Sequence, residues 1–197
     1  MHALLPFLLF AFVASITPGP TNLLVLGTAA RHGLLAALPL VLGACLGAAG
    51  LVLAVGMGIG ELLQRHPLAQ QGLAWLGVLW LSHLAWQILR SPATPIDPQA
   101  ATSPASIGLL GGAALQLVNP KSWMMALAVV GVFAGNQPEG VALLALLFFL
   151  VSLPCLGTWA CLGAGSARFL HSARRVRRFN QCMALLLLAS AWLSLLG

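Results

Sequence analysis

The chain has 197 residues, 60% of them hydrophobic and 6% charged, with nine Lys or Arg against three Asp or Glu. A soluble domain carries roughly a quarter charged residues, so this composition excludes a water-soluble globular fold and points to an integral membrane protein with long apolar runs. The net charge of +6 does not imply a nucleic-acid partner, because Arg168, Arg174, Arg175, Arg177 and Arg178 crowd one short segment between apolar runs. No extramembrane domain is left to carry such a binding surface.

The first run starts at Leu4 and would read as one helix to Thr28, were it not for Ile16-Thr17-Pro18-Gly19-Pro20-Thr21-Asn22 in its middle. Leu4 to Ala14 resembles a signal-peptide core, but it lacks a basic leading region and a small-residue cleavage site. It is therefore expected to be a retained first span. Proline has no backbone N–H and clashes with the carbonyl four residues earlier, so Pro18 is expected to free the carbonyl of Ala14, and Pro20 that of Ile16. Unpaired carbonyls are tolerated at membrane depth only where they line a polar cavity.

Further spans are expected at about 34–60, 68–89, 107–134, 140–166 and 179–196. The first two follow the connections Ala30-Arg31-His32-Gly33 and Glu61 to Pro67. Residues 90–106, containing Ser-Pro-Ala-Thr-Pro-Ile-Asp-Pro, read as an extended linker. The fourth span is broken like the first, at Leu117-Val118-Asn119-Pro120-Lys121-Ser122-Trp123, where Pro120 is expected to free the carbonyl of Gln116. Asn119 followed by proline is a good cap and first position for a new helix.

The expected fold is an all-α integral membrane protein, one domain over 1–197, with six transmembrane helices. The linker divides it into two three-helix repeats, about 1–89 and 107–197. Three is odd, so the repeats are inverted, and the helix broken at proline opens each of them. Interrupted spans at matching places in inverted halves point to a transporter's binding site. Loops one, three and five hold seven basic residues against Arg65 alone in the other two. The positive-inside rule then puts those loops in the cytoplasm and both termini outside, in the periplasm of a Gram-negative cell.

The candidate site comprises Thr17, Pro18, Gly19, Pro20, Asn22, Asn119, Pro120 and Lys121. Helices restarting after Pro20 and Pro120 present open N–H groups and a positive dipole end to an anion. Lys121, about 14 residues into its span, sits near the bilayer midplane, and a charge there is by default functional. It would meet a substrate carboxylate, with Thr17, Asn22, Asn119 and the freed carbonyls holding an ammonium group.

Other features are weaker. Cys45, Cys155, Cys161 and Cys182 all lie in apolar runs and read as small buried hydrophobes. No spacing suits zinc or haem, so no metal, cofactor or catalytic residue is expected. His83, inside a run, reads as a histidine hydrogen-bonded between helices. Pro39 and Pro154 read as kinks, and Trp75, Trp86 and Trp192 suit the interfacial belt. Gly43/Gly47, Gly56/Gly60 and Gly108/Gly112 permit close helix packing, within the chain or in a homodimer. A segment Ala-Cys-Leu-Gly-Ala occurs at both 44–48 and 160–164.

The motifs "TPGPTN" at 17–22 with the following "LLVLGTAARHG", "ALQLVNPKSW" at 114–123, and "HLAWQILRSP" at 83–92 resemble those of the LysE/RhtB family of bacterial amino-acid exporters. Among its subgroups the chain looks most like the exporters of cysteine and O-acetylserine. The resemblance covers essentially the whole chain. It implies outward movement of a small amino acid across the inner membrane, the expected substrates being cysteine-like or another neutral or basic amino acid, driven by proton entry. Two departures stand out: Thr21 follows the Pro-Gly-Pro triplet, and Leu46-Gly47-Ala48-Ala49-Gly50 holds no acidic residue. Without an intramembrane carboxylate, Lys121 becomes the expected proton-coupling group. The rival readings are a membrane thiol–disulfide carrier using Cys45 and Cys161, and a passive small-solute channel.

Overall fold

The computed structural model describes residues 4–93, 107–134 and 138–193, so most of the expected linker lies outside the described residues. Within them the chain is helical: α1 (Leu4–Ile16), α2 (Pro20–His32), α3 (Leu34–Ala54), α4 (Gly60–Arg65), α5 (Pro67–Arg90), α6 (Leu109–Val118), α7 (Pro120–Phe133), α8 (Pro138–Ser166) and α9 (Ala173–Leu193).

Proline opens α2, α5 and α7, where its fixed φ suits a first helical residue and its missing N–H removes nothing. The breaks fall where the prolines demand. α1 stops at Ile16, α2 resumes at Pro20, and the two are bent by 54°. α6 and α7 are separated by Asn119 alone, whose extended backbone (φ −91°, ψ 108°) cannot continue a helix. Pro39 and Pro154, by contrast, lie inside helices that run on through them.

α3 continues into α4 through a π-helical turn at Val55–Ile59. Gly58 there has φ 105°, a conformation that a side chain would strain. Gly56 and Gly60 flank this distortion, and Gly56 also serves the close packing read from the sequence: a Cβ there would overlap Val141 Cγ1 of α8.

Among the described residues, three stretches are long and apolar enough to cross a bilayer: Leu34–Leu63, Pro67–Arg90 and Gly140–Phe169; the bent α1–α2 pair qualifies when taken together. α6 and α7 are shorter apolar helices of 10 and 14 residues. Many large apolar side chains point outward, among them Leu5, Leu35, Leu76, Leu110 and Leu186. A soluble monomer would not expose so much, and hydrocarbon is the solvent that accepts it. The protein is a helical membrane protein.

The most extensive packing joins α3 to α6, α3 to α8, α2 to α8, and α5 to α9; α8 also lies along α1, and α3 touches α7. Small residues set the closest approach. A Cβ at Gly112 would stand 2.6 Å from the Leu40 carbonyl oxygen, one at Gly47 2.7 Å from that of Ala113, and one at Gly43 would overlap that of Leu109. These three glycines therefore seat α3 against α6 within the chain and are not free to serve a homodimer. Gly163 plays the same part for α8 against the Leu26 carbonyl of α2. Gly47 and Gly163 are the glycines of the two Ala-Cys-Leu-Gly-Ala segments. Around the breaks, buried apolar residues of α1, α3, α7 and α8 form one cluster, including Phe7, Val52, Val129 and Phe148. Leu23 and Leu24 of α2 join Leu81, Leu115 and Leu187 in another.

Candidate functional site

The two breaks meet. Lys121, in the first turn of α7, donates from Nζ to the carbonyl oxygen of Thr17 at 2.7 Å, tying the restart of one broken helix to the end of the other. Asn119 caps α7 by accepting the Lys121 backbone N–H at 3.2 Å, as its sequence position predicts. Its amide Nδ2 donates across to Thr21 Oγ1 at 3.0 Å. Gln116, on the last turn of α6, donates to the same hydroxyl at 3.3 Å and to the Gly112 carbonyl at 3.1 Å. Ser122 Oγ donates to Gln116 Oε1 at 2.7 Å. Thr21, Asn22, Gln116, Asn119 and Ser122 are all buried, and burying polar groups is tolerable when each finds a partner.

The freed carbonyls find partners within the protein, and those of Ile16 and Gln116 each accept one hydrogen bond. The Trp159 indole N–H of α8 donates to Ile16 O at 3.0 Å, and the Asn119 N–H reaches Gln116 O at 3.4 Å. Neighbouring carbonyls are covered as well: Asn22 Nδ2 donates to Ser15 O at 2.9 Å, and Trp123 Nε1 to Leu117 O at 2.8 Å. A carbonyl released from its helix is costly to bury unless it is paired, and long side chains supply the partners here.

Gly19, Asn22, Asn119 and Lys121, four of the eight expected site residues, line one small cavity with Thr21 and Gln116. The cavity offers about 30 Å³ to the centre of a water-sized sphere, room for one or two waters. Lys121 lies across Gly19: a Cβ at Gly19 would stand 3.0 Å from Lys121 Cδ and 3.2 Å from Nζ. Thr17 is the expected residue that does not deliver its side chain. It is exposed, and its hydroxyl donates back to Val13 O at 2.5 Å, the i−4 bond that threonine favours at a helix end. Only its carbonyl takes part. Pro18, Pro20 and Pro120 act through the backbone path they impose, and none of them lines the cavity.

Sequence reasoning missed several members. Ser15, Ser152, Gln116 and Ser122 line the cavity, and the Ser15 hydroxyl, buried, has no hydrogen-bond partner among the described residues. The available signal was spacing: Gln116, Asn119 and Ser122 recur every third residue across the break. Cys45 adjoins no proline in sequence, yet α3 brings it into the cavity wall. Cys161 is exposed and stands elsewhere on α8, and Cys182 is exposed too; only Cys45 and Cys155 fit the buried-hydrophobe reading. The expectation that His83 bridges helices fails. It is exposed, and its Nε2 lies 3.0 Å from Nε2 of Gln87, one turn along the same helix.

A helical membrane protein whose proline-broken helices meet around a lysine and a buried polar network has the build of a membrane transporter. The LysE type translocator family model matches residues 12–196, and the chain belongs to that family. It is 30% identical over 164 residues to a cysteine/O-acetylserine efflux protein of Klebsiella pneumoniae, covering 80% of each chain. Efflux proteins of the same description from Salmonella typhimurium and Shigella flexneri are 29% and 31% identical, over 94% of this chain and 96% of theirs. No solved structure matches the chain.

Proposed function

We propose that this protein exports a small neutral amino acid, cysteine- or O-acetylserine-like, across the bacterial inner membrane. The observation that carries the reading is the joining of both helix breaks at Lys121 around a small polar cavity. In this reading the substrate carboxylate takes the place of the Thr17 carbonyl on Lys121 Nζ and gains the N-terminal dipoles of α2 and α7. The substrate ammonium group is held by Ser15, Asn22 and Asn119; Ser15 supplies a hydroxyl that has no partner among the described residues. The cavity is small because Lys121 lies across Gly19, so substrate entry requires that side chain to swing.

The chain acts as one domain of six spans in two inverted three-helix repeats, with loops one, three and five cytoplasmic and both termini periplasmic. The packing supports this reading. The second helix of each half lies on the broken helix of the other: α3 touches α6 and α7, α8 touches α1 and α2, and the third helices, α5 and α9, pack together. A two-fold relation between inverted halves would produce that exchange. Lys121, without an intramembrane carboxylate beside it, is the group that couples transport to proton entry.

The test is efflux of radiolabelled cysteine and O-acetylserine from loaded proteoliposomes, with and without an opposing proton gradient. Gradient-stimulated, saturable efflux is expected. Efflux indifferent to the gradient and unsaturable would identify a passive channel instead.

A further inference from the structure

A second, larger cavity opens beside the last turn of α2, between α2, α5 and α9. It has about 140 Å³ open to the centre of a water-sized sphere, roughly ten times what one water requires. Thr28, Arg31, His32, Gln87 and Ser91 line its polar side. Arg31 is its charged group, half-buried, and a guanidinium presents five N–H donors in a planar fork. Among the described residues it has one partner: Arg31 Nη2 donates to Asn180 Oδ1. Asn180 is itself buried at 2% exposure and donates from Nδ2 to Ser91 O at 3.4 Å, which fixes the amide so that its oxygen faces the arginine. The ion pair present among the described residues, Glu61–Arg65, lies elsewhere. Arg31 is thus positioned by a neutral group and left with donors to spare, facing a cavity. A cytoplasmic anchoring arginine needs neither the positioning nor the cavity.

We propose that Arg31 forms a second anion site, in which the substrate carboxylate docks before it reaches Lys121. This rests on the export reading above. Oxygen pairs, in a carboxylate or in a phosphate, are what the guanidinium fork recognises bidentately, so an anionic lipid headgroup is the alternative source of the same chemistry. The substrate is favoured because both cavities lie along one helix. Asn22 lines the first and Arg31 the second, and nine helical residues at 1.5 Å each set them about 13 Å apart. Leu23, Leu24, Leu81, Leu84 and Leu115 close the way between them, so a substrate held at Arg31 waits at an apolar barrier. Arg31 is then a loading residue on the cytoplasmic side and Lys121 the residue of the central site.

Initial rates of O-acetylserine uptake into inside-out vesicles test this, since such vesicles expose the cytoplasmic face. Arg31→Gln should raise KM by about 10- to 150-fold, the worth of a hydrogen bond to a charged group, with the maximal rate unchanged. Arg31→Lys should recover part of the loss. Asn180→Asp is the discriminating variant: its carboxylate would pair with the guanidinium, strengthening a merely structural contact but occupying a binding one. It should raise KM as Arg31→Gln does, while the protein remains as heat-stable as the parent. An unchanged KM in Arg31→Gln or in Asn180→Asp would overturn the proposal. So would Arg31-dependent retention of phosphatidylglycerol in phosphatidylcholine nanodiscs without any effect on KM, which would assign the cavity to lipid. Absence of saturable transport by the parent protein would instead sink the export reading, and this inference with it.

Discussion

Replacing Lys121 by Met keeps most of the apolar stem and removes the ammonium. In the resting protein the loss is one hydrogen bond, from Nζ to the Thr17 carbonyl at 2.7 Å. Thr17 lies at an exposed bend, and the buried hydrogen bonds among Thr21, Gln116 and Asn119 do not depend on Lys121 Nζ, so the folded protein should survive the change. Transport should not. In the export reading, the substrate carboxylate loses its one full positive charge and keeps only the dipoles of α2 and α7. A hydrogen bond to a charged group contributes about 1.5–3 kcal/mol, which at 1.4 kcal/mol per tenfold is about 10- to 150-fold in affinity. Lys121→Arg retains the charge but carries it on a longer, planar head that must fit over Gly19, so partial activity is expected. The assay is efflux from loaded proteoliposomes, normalised to purified, monodisperse protein of each variant. Normal export by Lys121→Met, at parental expression and melting temperature, would refute the reasoning. Lys121 would then be a clamp between the two breaks, and the binding-site assignment would fall with it.

Three other outcomes are expected. Gly43→Val places side-chain atoms where the Leu109 carbonyl stands and should destabilise by about 1–3 kcal/mol or more, because backbone cannot retreat as a side chain can; thermal unfolding in detergent reads it, with Gly157→Ala, which meets nothing within 4 Å, as the neutral control. Cys45→Ser with Cys161→Ser should leave efflux near normal, since serine fits where cysteine does; complete loss in a folded double variant would favour the thiol–disulfide carrier. Reporter fusions at Ala173 and Gly197 should report opposite sides, with Ala173 cytoplasmic, and an external arginine cluster would reverse the proposed orientation.

The breaks themselves were legible in the sequence because proline acts locally. Pro20 and Pro120 each start a helix, and the Asn119 cap follows from its neighbours. What closes the breaks was not legible. Trp159 reaches Ile16 across 143 residues and Lys121 reaches Thr17 across 104, and no periodicity encodes such pairs. The direction of the Thr17 hydroxyl is not legible for a related reason: it can bond its own helix, as it does at Val13 O, as readily as a ligand, and the sequence does not say which. Cys45 reads in the sequence as a packing group, and Ser15 carries no signal there, because small, weakly polar residues look like packing groups until a cavity is found beside them. The glycine pairs were recognised as close-packing faces, but only the fold tells that Gly43, Gly47 and Gly112 spend that property between α3 and α6.

The way the helices are shared out bears on how such a molecule can part. The sequence divides at the linker, and rocking one half against the other is the motion that division suggests. The packing draws the seam elsewhere. α3 and α6 are locked backbone to backbone, α8 is locked to α2, and α3 and α8 lie along each other, so members of both halves form one central block. α5 and α9, one from each half, pack on each other and reach the block through α2 and α6, where Gly77 of α5 meets the Val118 carbonyl nearly as closely as Gly43 meets that of Leu109. The larger cavities follow that joint, one between α2, α5 and α9, the other between α5 and the α6–α7 break. Sliding along that joint leaves the α3–α6 and α2–α8 glycine contacts intact but has to turn about the Gly77–Val118 contact. In mechanical terms, a motion about that joint would divide the protein into parts that are each assembled from both ends of its chain.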